Sequence, residues 1–283
     1  MPAGGRPTVR SRRLGAALKA MRLAAGFDQA TAAEAIVGSV TKVSRMETGH
    51  VNANPLAVRV LLDLYGVQDQ VERSRLEQLA RESSKRGWWV DYADTVGSTY
   101  AQYISMEQDA TYIRTWETVL MPGLLQTPEY VLELLESNPT IVPPDRAQAF
   151  VKVRQERQAR IEEAGARFAA IIWEPAITAS ISSPETRRAQ LSRLLDVGKR
   201  QNVTVQVLPL SARAATASGP FVGFSFSPEL AIEAVTVESA TGTMVVESQE
   251  EITRYVFAFD ALAAAALGPD ASAAFIRGVR DTI

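Results

Sequence analysis

The chain has no cysteine and a single histidine, His50, among its 283 residues. Without thiols, disulfides and thiolate metal sites are excluded. One imidazole rules out histidine-rich metal centres, and its position near the N-terminus leaves the rest of the chain without a Ser-His-Asp triad. No stretch approaches the roughly 20 apolar residues of a membrane-spanning helix. The run ALAAAALG near the C-terminus is too short. A phosphate-binding glycine loop and a nucleophile elbow are also missing. The carboxylate pairs Glu162/Glu163 and Glu250/Glu251 are neighbours on helices, so the two members do not share a face. These absences make a non-enzyme the expectation, with no cofactor and no metal. The opening residues MPAGGRPTVRSRR carry charge but no apolar run, unlike a secretory leader. A soluble cytoplasmic protein is expected, associated with the nucleoid only through DNA.

What is present is ordinary globular material: 46% apolar and 22% charged residues. The length suggests two domains or one large one. Charge is unevenly spread. Residues 1–60 hold nine Lys/Arg against three acids, a net +6, and the remainder is −8. A basic head on an acidic body is expected when one end meets a polyanion.

Residues 1–9 read as a flexible arm. Helical spacing then runs from Arg10 to Ala25, with Leu14, Leu18 and Met21 on one face and Gly26 as terminator. Asp28 caps a second helix, Gln29 to about Ile36. Ser39 caps a third, Val40 to Thr48, stopped by Gly49. Asn54 and Pro55 open a fourth, ending at Tyr65, with Leu56, Val60 and Leu64 on one face. A fifth runs from Asp69 to roughly Lys85. The second and third, joined by a short turn, form a helix-turn-helix. After GWWVDY, strands alternate with helices. Strands are expected at 111–118, 167–177 and in NVTVQVLPL, GPFVGFSFS, AIEAVTVES and TGTMVVES. Helices are expected through about Glu136, at Asp145–Glu163, after Ser183, at Gln249–Leu267 and at Asp270–Thr282. The fold class is therefore multidomain: an all-α helix-turn-helix domain (10–85), then an α+β domain (86–283) with a mixed or antiparallel sheet.

TKVSRMETG, residues 41–49, carries the functional reading. A recognition helix offers its N-terminal residues to base edges while the preceding helix crosses the backbone. At ~100° per residue, Val40, Thr41, Ser44 and Arg45 share one side, and Val43 and Met46 face elsewhere. Arg45 suits guanine, and the methyls of Val40 and Thr41 suit thymine. Gln29, Ser39, Lys42 and His50 are the expected phosphate contacts.

RLAAGFDQATAAEAIVGSVTKVSRMETG, within residues 10–66, resembles the Xre-type helix-turn-helix of phage Cro and repressor proteins. The resemblance implies that Arg22 and Glu47 pair, serving geometry rather than base reading. The family often has a left-handed glycine after the second helix's last apolar residue. Here Val37 stands there and Gly38 follows, so the turn sits either at 37 or one residue later. PGLLQT, NVTVQVLP, GPFVGFSF and VESATGTMVVE extend the resemblance over nearly the whole chain, to the WhiJ-like, antitoxin-like regulators of actinobacteria. That implies a DNA-binding regulator, often paired with a small protein encoded nearby.

The reading that follows is a homodimeric, sequence-specific regulator binding double-stranded DNA. Two alternatives stay open. One is an antitoxin-like module that binds a small partner protein. The other is a small-molecule sensor, with Ser211, Arg213, Ser218 and Gly219 in a candidate ligand loop. Read the bland way, that loop is a connector and VRQERQARIE is a solvated helix face or a dimer seam.

Overall fold

Local sequence signals set where each helix of the first unit starts and stops. In a computed structural model, residues 8–83, 87–137, 142–163, 165–216, 218–226, 231–239 and 242–283 are described. The chain divides into two units, Met1–Val90 and Asp91–Ile283. Only Thr8 and Val9 of the expected arm, and no residue from 84 to 86, fall within the described set.

The first unit contains α1 (Val9–Ala24), α2 (Gln29–Ala35), α3 (Val40–Glu47), α4 (Pro55–Leu64) and α5 (Gln70–Ser83). Thr8, Asp28, Ser39 and Asn54 cap the first four by accepting a first-turn backbone N–H. The core gathers Leu14 and Leu18 of α1, Val43 and Met46 of α3, Leu61 and Leu62 of α4 and Leu76 of α5. The α4 face differs from expectation. Val58, Leu61 and Leu62 are buried, Leu56 is exposed, and Val60 and Leu64 are only half-buried. Several apolar stripes compete on this helix, and tertiary packing selects among them.

Two glycines set how α1 meets α3. A Cβ on Gly15 would lie 2.3 Å from the Met46 carbonyl oxygen and 2.6 Å from that of Glu47. A Cβ on Gly49 would lie 2.7 Å from the Arg12 backbone nitrogen. The Ser11 hydroxyl donates to the Gly49 carbonyl at 2.7 Å. The end of α3 is thus locked against α1 through backbone contacts that a side chain would break.

The second unit holds a six-stranded mixed sheet, ordered β3-β2-β1-β4-β5-β6. Its helices begin with the short α6 (Ala93–Val96) and α7 (Ser98–Asp109). Then follow β1 (Tyr112–Glu117), α8 (Pro128–Glu136), α9 (Ala147–Glu162), β2 (Arg167–Trp173), α10 (Glu174–Thr178), α11 (Pro184–Val197) and β3 (Val203–Leu208). The chain closes with β4 (Phe221–Ser225), β5 (Ala234–Ser239), β6 (Gly242–Val246), α12 (Gln249–Ala265) and α13 (Pro269–Asp281). β1 pairs parallel to β2 and β2 to β3, through helical crossovers. β1 pairs antiparallel to β4, and β4-β5-β6 is an antiparallel meander. Five of the seven β2 residues are buried, as in a strand covered on both faces.

Three expectations are corrected. The strand expected over 167–177 ends at Trp173, and Glu174–Thr178 is a helical turn with Pro175 in its first turn, where proline is tolerated. α7 was not expected. Tyr103 through Glu107 are consecutively buried, so the helix shows no amphipathic stripe. VRQERQARIE is not a solvated face: Val153, Arg157, Gln158 and Ile161 of α9 are buried. Arg157 survives there because its Nε and Nη2 each donate at 2.6 Å to Glu107, and the Tyr100 hydroxyl accepts from Nη1.

Candidate nucleic-acid interface

α3 is two-faced. Val43, Met46 and Glu47 are buried, while Val40, Thr41, Lys42 and Arg45 are exposed and Ser44 is half-buried. The four residues expected to read bases therefore share the outward side. Ser39 precedes them, its oxygen accepting from the Lys42 N–H at 3.2 Å, and its hydroxyl is exposed. His50 lies just beyond the helix, exposed, with Nδ1 3.0 Å from the Thr48 hydroxyl.

Beneath this face lies the expected pair. Arg22 Nε donates to Glu47 Oε1 at 2.6 Å and Nη2 to Oε2 at 3.0 Å. Nη1 donates to the Phe27 carbonyl at 2.8 Å, so one guanidinium ties α1, the α1–α2 turn and α3 together. Burial works against the ionised Glu47. Hydrogen bonds from Arg22 and Gln29, and the Arg22 charge, outweigh it and hold the carboxyl below its ordinary pKa. The structure modifies the expectation for Gln29. Its carboxamide nitrogen donates to Glu47 Oε2 at 2.8 Å, so this side chain braces α2 against α3. A phosphate role for Gln29 then falls to its remaining amide hydrogen and the helix N-terminus.

The turn between α2 and α3 resolves the question of register. Val37 itself takes the left-handed conformation, φ +50°, and is the one non-glycine residue with positive φ among those described. The Gly38 N–H bonds the Ala33 carbonyl at 2.8 Å, closing α2 in a Schellman motif. Gly26, Gly49 and Gly66 serve the other helix ends at φ +75°, +75° and +68°. The turn is not shifted, and α3 starts at Val40 directly after its cap Ser39. Val37 itself is 95% exposed, so no packing compensates its backbone.

Comparison with known families bears on both units. Residues 100–278, from α7 into α13, match the family model described as Domain of unknown function (DUF5753). The chain belongs to this family. Residues 13–76, from α1 into α5, match a model described as Helix-turn-helix domain. No curated protein and no solved structure matches the chain. The coarse function that follows from the helix-turn-helix is DNA-binding regulation.

Within the DUF5753 domain, PGLLQT is held by buried glutamines. Gln126 Nε2 donates to the Met121 carbonyl at 2.7 Å, and Gln158 Nε2 donates to the Gln126 carbonyl at 2.6 Å. Gln190 accepts from the Thr127 N–H and donates to the Leu125 carbonyl, both at 2.8 Å. The motif is thus a fixed corner joining α8, α9 and α11. The loop containing Ser211, Arg213, Ser218 and Gly219 is also tied down, in the part described, which excludes Ala217. Arg213–Thr216 form a 3-10 turn against α12, and Ala212, Ala214 and Ala215 pack on the core between the sheet and that helix. The Ser218 carbonyl accepts from buried Trp116 Nε1 at 3.0 Å. Among the described residues, no single helix is long and apolar enough to cross a membrane, and no group of His, Cys, Asp or Glu could hold a metal ion.

Proposed function

We propose that the protein is a sequence-specific transcription regulator that reads the major groove with α3. The observation that carries this is the exposed face of α3, Val40, Thr41, Ser44 and Arg45, on a helix whose opposite side is buried. In this reading Arg45 donates two hydrogen bonds to a guanine, and Val40 and Thr41 meet thymine methyls. Ser39, Lys42, His50 and the N-terminus of α2 hold phosphates. The Arg22–Glu47–Gln29 network touches no base and sets the angle between α2 and α3.

A single small head makes few contacts. Binding as a homodimer, with half-sites about one DNA turn (~34 Å) apart, supplies the rest. The resemblance to Xre-type heads and to the WhiJ-like, antitoxin-like group supports the same reading. It also favours a small protein partner for the acidic second unit, whose sequence carries no catalytic constellation.

Fluorescence-anisotropy titrations with labelled duplex at several salt concentrations test the residue roles. Arg45→Ala should lose specificity at one base pair, at a cost of about 1–3 kcal/mol. Lys42→Ala should weaken binding to all sequences and flatten the salt dependence by about one ion. If the two variants behave alike, the assigned face of α3 is wrong.

A further inference from the structure

The second unit contains a cavity of about 270 Å³ between the sheet and the helices α7 and α9. It is distinct from DNA binding, and none of Ser211, Arg213, Ser218 and Gly219 lines it. Its sheet side is polar. On β1, Thr115 and Glu117 share a face, and on β5 so do Thr236 and Glu238. Val222 of β4 pairs with Thr115 on one side and Thr236 on the other, so these residues form one row across the sheet. Val119, Leu120 and Met121 supply apolar wall, and Val119 and Leu120 are exposed. This combination of apolar wall and a few convergent polar groups is typical of small-molecule sites.

Two side chains on this face of the sheet are costly to bury. Thr236 is fully buried, and its hydroxyl oxygen has no partner among the described residues. Glu117 receives one hydrogen bond, from the Thr115 hydroxyl at 3.2 Å. Burial, and after it the charge of Glu238, push the Glu117 carboxyl up to about 8. Water reaches part of Glu117 through the cavity, yet protein surrounds it closely enough to disfavour its charge. Of the cations nearby, Arg157 is paired with Glu107. Arg154 Nη1 donates to the neutral Gln126 at 2.5 Å, and its charge offsets only part of the effect of burial on Glu117.

We propose that this cavity binds a small organic ammonium, a protonated amine on an apolar body, with the amine between Glu117 and Glu238. The ammonium donates to both carboxylates, offsets the repulsion that ionising Glu117 beside Glu238 creates, and leaves the body against Val119, Leu120 and Met121. Because Glu117 is mostly protonated at pH 7 in the unliganded protein, binding expels a proton from it into solution. The other titratable or charged groups facing the cavity are Tyr100 and Tyr103 on α7, Arg154 and Arg157 on α9, and Glu238 on β5. Burial raises the Tyr103 hydroxyl well above its ordinary value, and, against the effect of its own burial, Arg157 is raised by the Glu107 carboxylate, so neither of these two exchanges a proton near pH 7.

Isothermal calorimetry on the full chain tests this with three probes of similar shape: 2-phenylethylamine, 2-phenylethanol and 3-phenylpropionate. The amine should bind at least tenfold more tightly than the other two. At pH 7 its binding heat should change with the ionisation enthalpy of the buffer, by the amount for release of most of one proton. Glu117→Gln should weaken the amine about tenfold or more and abolish the buffer dependence. Glu238→Gln, at an exposed position where folding is not at stake, should weaken it and reduce the proton release without abolishing it, because burial alone still raises Glu117. Equal affinity for the three probes, preference for the carboxylate, no binding at millimolar concentration, or an amine affinity unchanged in both variants would each overturn the proposal.

Discussion

Val37→Gly should stabilise the protein, although it removes a side chain and adds a glycine. A left-handed backbone costs an L-residue roughly 1–2 kcal/mol, and β-branching places valine at the upper end. Glycine gives back about 0.5–1 kcal/mol through the extra entropy of the unfolded chain. The valine side chain is 95% exposed, so its removal forfeits almost no burial. The balance is a gain of about 1 kcal/mol. Hydrogen exchange of the full chain, read on the amides of α2 and α3, should show protection raised about fivefold. Gly26→Val is the mirror experiment. Gly26 has φ +75°, and a Cβ there would meet nothing within 4 Å, so only backbone strain is added. By the same balance it should cost about 1 kcal/mol. Unchanged or lower protection in Val37→Gly, or a harmless Gly26→Val, would refute the strain argument.

Other substitutions probe the frame behind α3. Arg22→Met leaves the Glu47 carboxylate buried without its partner and should destabilise the first unit by about 3–5 kcal/mol, measured by denaturant unfolding. Since the Glu47 pKa is lowered in the folded state, its contribution is present above the unfolded value of about 4.5. That stability should disappear as pH falls through the lower folded value, and in Glu47→Gln this part of the acid dependence should be absent from a pH series of melting temperatures. Gly15→Ala should lower the melting temperature and weaken DNA binding together, because the new Cβ strikes the Met46 and Glu47 carbonyls. A variant that melts normally yet binds poorly would separate the two effects and contradict a purely steric origin.

The first unit was legible where single residues carry local physics. Asp28, Ser39, Asn54 and the glycines at 26, 49 and 66 mark helix ends through caps and positive φ, and the helices begin and stop within a residue or two of these signals. The face of α3 follows from spacing alone. The Arg22–Glu47 contact did not follow from spacing and rested on resemblance, because the partners lie 25 positions apart. Gln29 reads as a phosphate contact because nothing local announces that its amide turns inward to Glu47. In the second unit, β1 and β3–β6 were visible as β-branched, alternating runs. α7 was not, since a helix buried nearly all round has no periodic stripe, and α9 was misread because its buried charges look solvated until Glu107 is brought beside Arg157. Glu117 stood in a strand as one acid among many, and only the sheet register places it on the same face as Thr236 and Glu238, two strands away.

The central claim is that α3 reads DNA sequence, and selection of bound duplexes from a random library by the full chain, repeated with Arg45→Ala, tests it most directly. The account predicts a two-fold symmetric motif with half-sites about one helical turn apart, and loss of preference at one position of each half-site in the variant. No enrichment, or the same motif selected by Arg45→Ala, would contradict it.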